Sequence, residues 1–79
     1  MNIDTSKLNE LELKHFKLLR IKCITIAYCK DKPSYYDVMI YLNDYIYQLS
    51  VTVSKEYLDC VYKLEEYYEN AIKITCSNT

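Results

Sequence analysis

The chain has no glycine among its 79 residues and a single proline, Pro33. Without glycine, any turn that needs a positive φ falls to Asn or Asp. No backbone segment can approach a phosphate as closely as a P-loop or a dinucleotide-binding turn requires, so both of those classes are excluded. Seventy-nine residues allow one domain spanning residues 1–79, with 1–4 and 76–79 expected as loose ends. With 51% apolar and 27% charged residues the composition is that of a folded protein. No apolar run approaches the roughly 20 residues a membrane helix needs, and the first residues are polar. The expectation is a cytoplasmic protein with no membrane contact.

The four cysteines, Cys23, Cys29, Cys60 and Cys76, form no CxxC pair, and His15 is the only histidine. We expect reduced thiols, with Cys23 and Cys29 packing as small hydrophobes, and neither metal nor cofactor. The net charge of -1 conceals an asymmetry. Residues 1–30 hold six basic and three acidic groups, residues 31–79 four basic and eight acidic. Ten tyrosines against one phenylalanine are the second compositional signal. Tyrosine packs through its ring and hydrogen-bonds at its tip, so more of it than a small core can bury points to a contact surface. Nine Lys to one Arg, with eight Ile and five Asn, is also what A+T-rich codons favour, and part of the tyrosine follows from that.

From Thr5 to Leu19, the residues Leu8, Leu11, His15, Leu18 and Leu19 fall on one helical stripe, with His15 as a core or boundary residue. Arg20 to Cys29 is rich in β-branched residues and reads as a strand, stopped by the turn at Lys30 to Ser34. Tyr35 to Leu42 alternates, with Tyr36, Val38, Ile40 and Leu42 on one face. Asn43 and Asp44 form a tight turn, and Tyr45 to Val53 alternates again. Ser54 caps a last helix, with Val53 and Leu58 as a hydrophobic staple. Tyr57, Leu58, Val61, Leu64, Tyr68, Ala71 and Ile72 form its inner stripe, and the helix is expected to fade near Ile74.

The predicted fold is α+β: helix, three-stranded antiparallel meander, helix (αβββα). The alternative is a three-helix bundle, because Val38, Tyr41, Leu42, Tyr45 and Leu49 also repeat at helical spacing and would make residues 34–50 its middle member. On the αβββα reading Tyr36, Tyr47, Tyr57 and Tyr68 are core, while Tyr35, Tyr41, Tyr62 and Tyr67 point outwards. Tyr28 and Tyr45 remain unassigned between the two groups.

Little in the chain suits catalysis. A lone histidine in an apolar stripe leaves no base for a Cys or Ser nucleophile, and the neighbours Glu65 and Glu66 read as a solvated helix face. The chain is therefore expected not to be an enzyme. The order helix, three strands, helix resembles that of double-stranded RNA-binding domains, and Ser54 to Leu58 echoes the start of their last helix. Those domains need lysines there to neutralise phosphates, whereas here Lys55 is followed by Glu56 and Asp59, so nucleic-acid binding is not expected.

In residues 35–64 a short polar turn joins two alternating strands and a serine-capped helix follows directly. That layout resembles small phage-encoded αβββα inhibitors of the anti-CRISPR type. The resemblance implies a phage or mobile-element protein that inhibits a host protein stoichiometrically, with acidic residues standing in for DNA. The expected contact surface is Asp37, Tyr41, Asn43, Asp44, Asp59, Tyr62, Glu66 and Glu69, facing a host protein with a basic surface. A homodimeric structural or accessory protein is the alternative, with Tyr28, Ile24 and Ile26 as the dimer face if the first strand lies at a sheet edge.

Overall fold

A computed structural model describes residues 3–27 and 35–77, and the side chains of 3–27 and 36–70. Three helices follow one another: α1, Glu10–Ala27; α2, Tyr35–Leu49; and α3, Lys55–Ser77. Among the described residues there is no strand. The αβββα prediction is thus overturned in favour of the three-helix alternative. A helix of α3's length is about 34 Å long at 1.5 Å per residue, which accounts for most of the 40 Å long axis.

Each helix has an acidic residue in its first turn, suited to the macrodipole: Glu10 and Glu12 in α1, Asp37 in α2, Glu56 in α3. Asn9 caps α1 reciprocally. Its Oδ1 accepts from the Glu12 N–H at 2.8 Å, and Glu12 Oε1 accepts from the Asn9 N–H at 3.2 Å. This capping box fixes the start of α1 five residues later than Thr5, and its Asn-x-x-Glu spacing is readable in the sequence. Ser54 caps α3 as expected, its Oγ accepting from the Tyr57 N–H at 3.2 Å. The same hydroxyl donates to Glu12 Oε2 at 2.6 Å, so one carboxylate ties the starts of α1 and α3 together.

Residues 20–27 of the segment read as a strand are the second half of α1, while Tyr28, Cys29 and the turn expected at Lys30 to Ser34 lie outside the described residues. Phe16, Leu19, Cys23 and Ala27 are all buried, a stripe at i, i+3, i+7 and i+11 that carries the helix through its β-branched stretch. Each β-branched residue costs a helix only a fraction of a kcal/mol, less than one buried apolar side chain contributes. Thr25 adapts by donating its hydroxyl to the Ile21 carbonyl at 2.9 Å. The expected stripe of α1 was also rotated: Leu11 is 65% and Leu18 55% exposed, and His15 lies on the surface.

In α2 the period of two gives way to a period near four. Val38, Leu42 and Ile46 are buried, while Tyr36 and Ile40, assigned to the same strand face as Val38, are exposed. Asn43 and Asp44 form no turn and sit mid-helix on the surface. Of the inner stripe expected in α3, Tyr57, Val61, Leu64 and Tyr68 are buried together with Cys60, Leu58 and Val53 pack against them, and the side chains of Ala71 and Ile72 lie outside the described residues. The helix runs to Ser77, past the expected fade at Ile74.

Tyr57 joins all three helices. Its ring meets Phe16 edge-on at 6.2 Å, and its hydroxyl is hydrogen-bonded to that of Tyr45. The buried phenol is therefore satisfied, and burial followed by the Tyr45 bond pushes its pKa well up. The α2–α3 contact is the most extensive of the three and α1–α3 the least. Among the described residues, no helix is long and apolar enough to cross a membrane.

Candidate functional site

The eight residues expected to form one contact surface fall on two helices. On α2, Asp37, Tyr41 and Asp44 share an arc of about 60° at 100° per residue, with Asn43 on the outer face beyond them. Asp37, Asn43 and Asp44 are exposed, but Tyr41 is half-buried against the core, which corrects its outward placement. Tyr41 stacks on Tyr45 at 6.3 Å. Together they line one side of a groove of about 300 Å³ whose other side is His15, Leu18 and Lys22 of α1. Burial, with smaller contributions from Cys23 and Tyr45, raises the Tyr41 pKa, so the ring enters the groove as a neutral phenol.

On α3, Asp59, Tyr62, Glu66 and Glu69 share an arc of about 80° opposite the buried stripe. Asp59, Tyr62 and Glu66 are exposed and Glu69 half-buried. The Tyr41 groove is lined by α1 and α2 alone, on the side of the bundle away from this arc. The fold therefore supplies two separate acidic stripes in place of the single surface expected.

A second concavity, of about 260 Å³, lies between the N-terminal segment and the start of α3. Asp4, Glu56 and Asp59 face Lys7, Lys55 and Lys63 around it, a balanced set with no net attraction for either sign of ligand. Cys60 opens onto it and donates its thiol hydrogen to the Asp4 carbonyl at 3.3 Å. Burial raises the pKa of this thiol, which keeps it protonated and a poor nucleophile. Cys23 lies in the core with its pKa pushed up to about 11 by burial. Among the described residues, no group of three His, Cys, Asp or Glu side chains is placed to hold a metal ion. Cys29 and the side chain of Cys76 lie outside the described residues.

No known protein family, curated protein or solved structure matches this chain. The segment 35–64, on which the resemblance to αβββα inhibitors was based, consists of α2, a short connection and the first part of α3.

The tyrosines divide differently from the sequence reading. Tyr57 and Tyr68 are core as expected, and Tyr62 and Tyr67 are exposed as expected. Tyr36 and Tyr47, assigned to the core, are 77% and 83% exposed. Tyr45 is half-buried, while Tyr28 and the Tyr35 side chain lie outside the described residues. Tyr36, Ile40 and Tyr47 share the outward side of α2, an apolar and aromatic stripe that the alternating-strand reading concealed. A second outward stripe runs along α1 through Leu11, Leu18, Ile21 and Ile24. The proposed dimer face at Ile24, Ile26 and Tyr28 does not form as drawn: Ile24 is exposed, Ile26 is packed against the core, and there is no sheet edge among the described residues.

Proposed function

We propose that this chain is a non-enzymatic structural or accessory module that works by associating with copies of itself. The observation that supports the reading is the pair of outward apolar stripes on α1 and α2. Single exposed apolar residues are ordinary, but rows of large ones along two adjacent helices are the pattern of surfaces that a partner covers. On α1, large apolar residues stand both on the inner face, where they are buried, and on the outer face, where Leu11, Leu18, Ile21 and Ile24 are exposed among its lysines.

Light scattering over a concentration series tests the proposal, with a dimer or larger species expected at micromolar concentration. A chain that stays monomeric up to the millimolar range would overturn it. The second reading would then apply: stoichiometric inhibition of a basic host protein by the α3 stripe, favoured by the exposure of Tyr62 beside Asp59 and Glu66. Charge reversal at Glu66 and Glu69 would abolish that capture while leaving the helical circular dichroism unchanged.

A further inference from the structure

The two outward stripes differ in charge. On α1, Leu11, Leu18, Ile21 and Ile24 lie within an arc of about 140° that also contains Lys14 and Lys17, with Glu10 as its one acid. On α2, Tyr36, Ile40, Asn43 and Tyr47 lie within about 60°, flanked by Asp37 and Asp44, and the helix has no basic residue at all. Pairing α1 with the same helix of a second copy would bring lysines together. Pairing α2 with α2 would bring aspartates together. Like charges facing across an interface oppose association, whereas the unlike pairing sets lysines at the rim beside aspartates and leaves the apolar rows in contact.

We infer that the outward face of α1 in one copy packs on the outward face of α2 in another, so that the natural occupant of each stripe is a second copy of this chain. The inference rests on the self-association proposed above and names its interface. Leu18 and Ile21 meet Ile40 and Tyr47 at the centre of the contact, with Lys14 and Lys17 beside Asp37 and Asp44 at its edge. The two contacting surfaces are different, so a two-fold arrangement makes the contact twice and closes as a dimer, whereas any other arrangement makes a ring or a filament.

Charge exchange tests the pairing. One full-length variant carries Lys14→Glu and Lys17→Glu, and the other Asp37→Lys and Asp44→Lys. Each alone is expected to associate at least tenfold more weakly than wild type in sedimentation, with helical circular dichroism retained. Their equimolar mixture is expected to recover association, because one contact then sets the introduced glutamates against the introduced lysines and the other sets the native lysines against the native aspartates. Ile21→Ser and Tyr47→Ser, at exposed positions, provide a charge-independent check and are each expected to weaken association similarly. If wild type associates but the variants associate as strongly, or the mixture recovers nothing, the α1–α2 pairing is wrong while self-association stands. A monomeric wild type would overturn both.

Discussion

Among the described residues, Glu65 carries a buried carboxylate oxygen, Oε2, with no hydrogen-bond partner. Burial first, and then the charge of Glu69 one turn along α3, push its pKa above the ordinary value. A carboxyl group with a raised folded pKa binds more protons folded than unfolded. Its contribution to stability is therefore most favourable below the unfolded pKa, and falls as pH rises from there to the folded value. Asp4 and Glu12 act in the opposite sense. Their pKa values are lowered chiefly by hydrogen bonds from Ser6 and Ser54, and the stability they add above their ordinary values is lost as pH falls through the folded ones. Glu65→Gln removes the first effect alone. It should stabilise the fold at pH 7 by about 0.5 kcal/mol, a figure kept small by the partial solvent screening of this flank, and by less at pH 4. Urea midpoints at the two pH values measure this, and an equal or lower midpoint at pH 7 would contradict it. The sequence placed Glu65 with Glu66 on a solvated face; neighbours on a helix are 100° apart, which is enough to put one at the edge of the core and leave the other in water.

At the scale of the elements, the junction of Asn9, Glu12 and Ser54 sets where two helices start and how they sit together. Ser54→Ala removes both a cap and the donor to Glu12, and should cost about 1 to 2 kcal/mol. Glu12→Gln keeps an acceptor but loses the charge. In a double-mutant cycle the two changes should be non-additive by about 0.5 kcal/mol or more. Additive costs would mean that the bond between α1 and α3 contributes nothing to stability. The α3 start was legible because a serine cap precedes a long stripe of one period. The end of α1 was not, because Ile21, Ile24, Thr25 and Ile26 are good strand residues whose helical state is imposed by Cys23 and Ala27, two small residues that a hydropathy pattern underweights. For α2, Val38, Ile40 and Leu42 satisfy alternation and Val38, Leu42 and Ile46 satisfy helical spacing, so the segment alone does not choose. The choice comes from what α2 must cover, namely a flank of α1 and the inner stripe of α3.

For the whole molecule, the core consists of twelve buried side chains among the described residues, two of them cysteines and one an alanine. A chain of 79 residues at roughly 0.05 to 0.15 kcal/mol per residue has a stability of about 4 to 12 kcal/mol, and a small core places a monomer towards the low end. The two candidate stripes were only half visible in the sequence. The tyrosine excess and the charge asymmetry could be counted, but which rings face outwards depends on the helical period of α2. Covering those stripes with a second copy adds binding free energy to the folded state alone, and mass action then makes stability depend on concentration. The thermal midpoint of wild type should therefore rise by several degrees between about 5 and 500 µM chain. That of the Lys14→Glu, Lys17→Glu variant should rise by clearly less, because its association is weakened while its fold is kept. Differential scanning calorimetry at the two concentrations decides the matter, and parallel behaviour of the two proteins would mean that folding draws nothing from the α1 face.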